Sequence, residues 1–246
     1  MEDKEWFETW FDSSYYPVLY AHRDEKEADG FVSKLFARLD IEKGTRVLDL
    51  GCGSGRHSII MHKLGMRVFG LDLSMARIEE GRISAGSNGP VFLVGDMRNF
   101  VLDEPVDVVC NLFTSFGYFG SKLENEEVLR NVWKNLTAGG KLIIDFMNTP
   151  RILRDLVKEE ILERQGYTFQ IRRAYSDGLL RKKISVTDGS KQLHFEECVQ
   201  ALFLEDFIAL FASCGFHLLF TFGDYSLEPY DTNNSPRMIL IAEKCE

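Results

Sequence analysis

Three glycines at alternate positions, Gly51, Gly53 and Gly55, follow a short apolar run, Val47, Leu48 and Leu50, that carries one carboxylate, Asp49. Apolar residues at helical spacing resume at Ile59, Ile60 and Leu64. Glycine tolerates positive φ and lets a ligand approach backbone where a Cβ would intrude. A strand, a glycine turn and a helix in that order therefore form a seat for a nucleotide-like ligand at the strand's carboxyl end. A second carboxylate, Asp72, closes the apolar run 66–71, twenty-one residues beyond Gly51. At the end of a second strand it can accept both hydroxyls of a ribose. Leu73 and Ser74 follow, and Ser74 suits the cap of the next helix. A third carboxylate stands in Gly95-Asp96-Met97-Arg98, directly after the run 90–94.

The glycine spacing separates two ligand classes. The dinucleotide fingerprint is Gly-x-Gly-x-x-Gly; counted from Gly51, its last place holds Arg56, and a glycine sits one residue early at Gly55. Together with Asp49, the stretch instead resembles motif I of the class I S-adenosylmethionine-dependent methyltransferases, Asp-x-Gly-x-Gly-x-Gly. That resemblance places Asp49, Gly51, Cys52 and Gly53 around the cofactor, with Asp72, Leu73 and Ser74 at its ribose end. The Gly95-Asp96-Met97-Arg98 step resembles the family's adenine bracket, which implies Asp96 on the exocyclic amine and Met97 against the ring. Asn111, Leu112 and Phe113, at the end of the run 106–113, are implied to face the methionine part. In the family's small-molecule branch, which includes glycine/sarcosine and amino-sugar N-methyltransferases, the N-terminal segment folds over the cofactor. Here that segment is unusually aromatic, and Tyr15, Tyr16, Tyr20 and Arg23 are its candidates, since aromatic faces attract cations. Packing of the same segment on a sheet edge is the alternative its helical spacing allows.

The resemblance implies in-line transfer of a methyl group from S-adenosyl-L-methionine to nitrogen or oxygen of a small molecule, leaving S-adenosyl-L-homocysteine. A neutral amine acceptor needs no general base, whereas a hydroxyl needs a base or a metal. The five histidines, His22, His57, His62, His194 and His217, show no paired ligand spacing, so no metal is expected. Tyr118 is the preferred catalytic candidate on the acceptor side, with Phe116 beside it. Tyr15 and Tyr16 of the N-terminal segment are also substrate candidates, and the long connection 224–237 brings Tyr225 and Arg237 as further ones. Neither the Asn/Asp-Pro-Pro-Tyr/Phe of nucleic-acid amino methyltransferases nor the Pro-Cys of cytosine-C5 enzymes is present. A net charge of −9 likewise argues against a nucleic-acid partner. The one basic cluster, Arg172, Arg173, Arg181, Lys182 and Lys183, lies in alternating surroundings that suit the solvated face of strands. Two other readings use the same features: an NAD-dependent oxidoreductase, which shares the ribose carboxylate but lacks the glycine register, and a non-catalytic cofactor-binding subunit.

With 246 residues, 45% of them hydrophobic and 19 of them Phe, the chain can bury a large core. The elements that must position these residues read as an α/β fold. A Rossmann-like seven-stranded sheet carries helices on both faces and ends in an antiparallel hairpin formed by 215–223 and 237–243. Residues 163–201 break the pattern with alternation and turns at Asp177-Gly178 and Asp188-Gly189, which predicts a three-stranded antiparallel insertion. The Gly139-Gly140 pair reads as the stop of the helix 124–136 before a strand 141–147. The expected division is a helical lid over 1–40, a cofactor-binding domain over 41–160 and 203–246, and an insertion over 161–202 that covers substrate or contacts another copy in a homo-oligomer. The five cysteines form no Cys-x-x-Cys pair, and neither a signal-like apolar core nor a membrane-length run occurs, so a reducing cytoplasm is the expected compartment.

Overall fold

The computed structural model describes residues 5–21 and 25–245. Two short helices, α1 (Trp6–Phe11) and α2 (Tyr15–Leu19), precede α3 (Glu25–Arg38). The chain then alternates β1 (Arg46–Leu50), α4 (Arg56–Lys63), β2 (Arg67–Asp72), α5 (Met75–Ala85) and β3 (Val91–Val94). Next come β4 (Val106–Asn111), α6 (Lys122–Asn135), β5 (Leu136–Met147) and α7 (Thr149–Arg154). Four strands follow, β6 (Glu159–Arg164), β7 (Tyr167–Ser176), β8 (Leu179–Asp188) and β9 (Lys191–Gln200), and α8 (Leu204–Ser213), β10 (Phe216–Phe222) and β11 (Arg237–Lys244) complete the fold.

The seven-stranded sheet has the order β10-β11-β5-β4-β1-β2-β3. β1 pairs in parallel with β2 on one side and β4 on the other, and β11 lies antiparallel to both β5 and β10. The chain winds outward from β1 to β3 and then returns to β4, so the winding reverses between β1 and β4. In an open α/β sheet a ligand crevice forms outside the strand ends at such a reversal. Continuous apolar character buries β1 and β4 on both faces, as expected of central parallel strands. One face packs Leu48, Val109, Ile144 and Leu240 against Val128 and Val132 of α6 and Phe207 and Leu210 of α8. The other packs Val47, Val108, Ile143 and Ile241 against Phe31 and Leu35 of α3 and Ile60 and Met61 of α4. Among the described residues, no helix is long and apolar enough to cross a membrane.

Two sequence expectations require correction. The antiparallel sheet has four strands, in the order β6-β7-β8-β9. The extra one, β6, reads Glu-Glu-Ile-Leu-Glu-Arg and is nowhere fully buried, so its charged sequence gives no apolar alternation; its pairing with β7 holds it instead. Gly139-Gly140 also does not stop α6. The helix ends at Asn135, and its cap, Leu136, is already extended. The glycines lie inside β5, where the register jumps from Val106↔Leu136 to Val108↔Lys141. Gly139 has φ +68°, and a Cβ on Gly140 would come within 2.9 Å of the Thr137 carbonyl. A bulge therefore uses the same residue type as a helix cap.

The N-terminal helices pack on the four-stranded sheet. Trp10 is fully buried beside Phe169, Ile171, Ile184 and Val186, and its Nε1 donates to Glu197 at 2.6 Å. Their other side meets the end of the large sheet: Arg77 of α5 donates to the carbonyls of Phe11 and Ser13 at 2.8 and 2.9 Å. The Ser74 hydroxyl bonds the Asp12 carboxylate.

Candidate functional site

The carboxyl ends of β1, β2, β3 and β4 open into a cavity of about 310 Å³ beneath α1 and α2. Its floor is the turn after β1. The N–H groups of Gly51 and Cys52 both donate to the Leu71 carbonyl, at 2.8 and 3.0 Å, which ties the turn to β2. Gly55 has φ +78°, and a Cβ there would lie 2.3 Å from Phe92, so this glycine is needed for packing. Gly53, at φ +56°, has nothing within 4 Å of the Cβ position and lies on the cavity wall. Glycine at 53 therefore leaves the cavity wall open at that point.

Asp72 stands at the end of β2 on the same wall. Its Oδ2 accepts from the Gly53 N–H at 2.7 Å and its Oδ1 from the Ser74 N–H at 2.9 Å. Burial pushes its pKa up, partly opposed by those two N–H groups. Leu73, Gly95, Asp96 and Met97 continue the wall. Asp96 is gripped by Arg98 through the backbone N–H at 2.8 Å and the guanidinium at 2.6 to 3.1 Å. Burial raises its carboxyl, but these bonds outweigh it and hold the pKa below the ordinary value.

Leu112, Phe113 and Ser115 form the next part of the wall, and Tyr118 and Phe119 lie beyond them. Phe113 and Thr114 both have left-handed backbones, φ +67° and +62°. For bulky or β-branched residues this conformation is strained by roughly 1–3 kcal/mol each. The roof is aromatic: Phe7, Phe11, Tyr16 and Tyr20 face the cavity, and Phe11 packs 5.4 Å from Tyr118. Apolar walls with a few convergent polar groups and a volume of this size suit a ligand of nucleoside dimensions.

The structure thus gathers Tyr16, Tyr20, Gly51, Cys52, Gly53, Asp72, Leu73, Asp96, Met97, Leu112, Phe113 and Tyr118 around one cavity. Other candidates stand behind the wall. Asp49 lies buried under the turn, takes the Ser58 hydroxyl at 2.5 Å, and is pushed up to about 7 by burial. Ser74 caps α5, accepting from the Arg77 N–H at 3.1 Å. Asn111 is buried and donates to the Leu50 carbonyl at 2.9 Å. Phe116 is buried, 5.7 Å from Phe207 in the core. Tyr15 turns to the second sheet and donates to Asp188 at 2.9 Å. Tyr225 and Arg237 do not line the cavity; both bond the buried Asp145. Arg23 lies outside the described residues.

Of the lining residues the sequence did not single out, Phe7 and Phe11 belong to the aromatic segment it offered as a cover, whereas Arg56 and Arg77 carry no local signal for the site. Arg77 reads as an ordinary α5 residue until α1 is brought 66 positions back onto it. His57 lines the cavity with its ring 6.5 Å from that of Phe113. Among the described residues, no group of three or more His, Cys, Asp or Glu side chains could hold a metal ion.

A family model described as a methyltransferase domain matches residues 41–184. Over 123 residues the chain is 32% identical to the dTDP-4-amino-2,3,4,6-tetradeoxy-D-glucose N,N-dimethyltransferase of Saccharopolyspora spinosa, covering 50% of this chain and 48% of that protein. Over 99 residues it is 30% identical to a trans-aconitate 2-methyltransferase of Escherichia coli, covering 39% and 38%. The chain thus spans half or less of the length of these relatives. Its fold is similar to that of an S-adenosylmethionine-dependent methyltransferase from Clostridium acetobutylicum, with a TM-score of 0.81, 18% identity, and coverage of 94% of this chain and 96% of that one.

Proposed function

The chain belongs to this methyltransferase family, and from that premise we propose that it transfers a methyl group from S-adenosylmethionine to a nitrogen or oxygen of a small molecule. The observation that carries the reading is the Asp72 carboxylate, fixed at the end of β2 by the Gly53 N–H and turned to a nucleoside-sized cavity. Asp72 is assigned to the ribose hydroxyls, Asp96 and Met97 to the adenine, and the glycine turn to the adjoining backbone. Bound there, S-adenosylmethionine supplies a carbon already activated by its sulfonium.

The chain's own residues then have to orient and exclude. Holding an acceptor in line with the reactive carbon can contribute roughly 7–11 kcal/mol through orientation and reduced solvent reorganisation. The roof formed by Phe7, Phe11, Tyr16 and Tyr20 excludes water and offers ring faces to positive charge. Tyr118 lies on the wall beside Phe11 and is assigned to the acceptor, where its hydroxyl can take a hydrogen bond from an amine. A neutral amine brings its own lone pair and loses its proton after transfer. Similarity to an amino-sugar N,N-dimethyltransferase supports an amine among the acceptors. The acidic balance of the chain supports a small molecule over a nucleic acid. The N-terminal segment and the β6–β9 sheet together are read as the cover of the acceptor side.

Calorimetric titration with S-adenosylmethionine, S-adenosylhomocysteine and NAD, beside Asp72→Ala, tests the reading. Micromolar binding of the first two, weakened in the variant, supports it. Binding of NAD alone would overturn it.

A further inference from the structure

The buried Asp145 of β5 bonds the strained turn after β4 at several points. Its Oδ2 accepts from the Phe113 N–H at 3.0 Å, and its carbonyl accepts from the Thr114 N–H at 2.8 Å. The same carboxylate holds two side chains, one from β11, which pairs with β5, and one from the connection that leads into it. Oδ1 accepts from Arg237 Nε at 2.7 Å, and Oδ2 accepts from the Tyr225 hydroxyl at 3.0 Å. Arg237 Nη2 then donates to Thr114 Oγ1 at 2.9 Å and to the Asp145 carbonyl at 3.2 Å. Burial works against the Arg237 charge, but Asp145 beside it outweighs that and raises its pKa; burial and Asp145 likewise push the Tyr225 phenol up. The arginine thus stays charged, and the phenol stays a donor.

These bonds converge on Phe113 and Thr114, the two non-glycine residues held in succession in the left-handed region. Such backbone persists only where its surroundings over-determine it. The turn determines where the Phe113 ring stands. That ring lines the cavity between Leu112 and Ser115, with the Arg56 and Arg237 guanidiniums 5.2 and 5.6 Å from its centroid.

We infer that Asp145, with Arg237 and Tyr225 locked to it, is the positioning residue that holds Phe113 in the cofactor cavity by keeping the 113–114 turn left-handed. This rests on the reading of the cavity as the S-adenosylmethionine site. Arg237 and Tyr225, which the sequence offered as substrate contacts, act through the turn. The connection 224–237 is correspondingly anchored: Asn148 donates to the carbonyls of Thr232 and Ser235 at 3.0 and 2.7 Å and accepts from the Tyr230 hydroxyl at 3.0 Å.

The test compares S-adenosylhomocysteine affinity and thermal unfolding in Asp145→Asn, Arg237→Lys, Tyr225→Phe and the double variant Asp145→Asn/Thr114→Gly. Asp145→Asn is expected to weaken binding about tenfold and Tyr225→Phe about threefold, as loss of charged-acceptor bonds predicts. Glycine takes positive φ without help. The double variant should therefore regain most of the affinity while its melting temperature stays low, a split that general destabilisation does not produce. A folded Asp145→Asn that binds as the wild type does, or a double variant no better than the single, overturns the inference. Where Asp145→Asn does not fold, unchanged affinity in both Tyr225→Phe and Arg237→Lys overturns it. If the wild type itself binds no S-adenosylhomocysteine, the cofactor reading fails separately. Crystal structures of Arg237→Lys and Tyr225→Phe then decide the clamp, which is overturned if residues 113 and 114 keep positive φ in both.

Discussion

The backbone N–H of Gly53 donates to Asp72 Oδ2 at 2.7 Å, so the glycine turn after the first strand and the carboxylate ending the second are one unit. With the Ser74 N–H on the other oxygen, the carboxylate is oriented before any ligand arrives. Acceptor geometry fixed in advance reduces the ordering that binding must impose. Asp72→Ala removes both the acceptor and the tether of the turn. It is expected to weaken S-adenosylhomocysteine binding about 30-fold or more, as loss of a charged acceptor predicts. Calorimetry that finds wild-type affinity in the folded variant refutes the ribose assignment.

Two glycines of the turn, Gly53 and Gly55, separate under substitution. Gly55→Ala forces a Cβ to 2.3 Å from Phe92 at φ +78°. Left-handed strain and overpacking together should destabilise by about 2–5 kcal/mol, read as a lowered midpoint in chemical unfolding. Gly53→Ala meets nothing within 4 Å. At φ +56° it carries only the left-handed strain, roughly 1–2 kcal/mol, so its midpoint should fall less than that of Gly55→Ala, while cofactor affinity should drop because residue 53 lines the proposed cofactor cavity. Equal stability losses in the two variants would contradict the geometry.

The glycine turn, Asp72 and the Gly95-Asp96 step were legible from the sequence because each sits at the end of an apolar run, and parallel strands wound about one reversal bring such ends together. Local signals were therefore enough to anticipate much of the cavity floor. The aromatic roof was offered by the sequence, but the contacts that attach it were not. Arg77 reaches carbonyls of Phe11 and Ser13 that lie 66 and 64 positions away, and Trp10 finds Glu197 across 187. No spacing rule encodes such pairs. Asp145 was hidden for a related reason: it interrupts a buried strand, Leu-Ile-Ile-Asp-Phe-Met, and its partners come from three separate segments. The glycine pair at 139–140 shows the converse, a clear local signal shared by two structures, cap and bulge.

Asp49 predicts a pH dependence of stability. Burial lifts its carboxyl from an ordinary value near 3.8 to about 7. The folded state therefore holds the proton more tightly than the unfolded chain. The stabilisation from this proton is complete below about pH 4 and is lost as pH rises through about 7. Some three pH units at ~1.4 kcal/mol each give a span on the order of 4 kcal/mol. Asp49→Asn keeps an oxygen for the Ser58 hydroxyl without the charge. Its stability should match the wild type near pH 4 and exceed it at pH 8, measured by denaturant titration across that range. A difference that does not change with pH would show that Asp49 is already ionised in the fold.

The attachment of the N-terminal helices to the second sheet supplies the last prediction. Glu197 of β9 accepts from Trp10 Nε1 at 2.6 Å and from the Tyr20 hydroxyl, and it pairs with Lys182 at 3.2 Å. Lys182 in turn bonds the Tyr20 hydroxyl, and both charged side chains are largely covered, 14% and 16% exposed. Tyr20 also lines the cavity, so this pair of charges joins the roof to the sheet behind it. Glu197→Ala takes one carboxylate from a covered ammonium and the acceptor from a buried indole N–H, and should destabilise by about 3 kcal/mol. Replacing the lysine as well, in Glu197→Ala/Lys182→Met, removes the covered charge that Glu197 had balanced and should recover part of that loss. Because the effect is local to the roof, limited proteolysis should cut near residues 12–21 in Glu197→Ala before the large sheet unfolds. Addition of S-adenosylhomocysteine should slow that cleavage, since the proposed cofactor cavity lies beneath the same helices. Cleavage that begins elsewhere, or a double variant less stable than the single, would mean that the Glu197–Lys182 pair does not hold the roof.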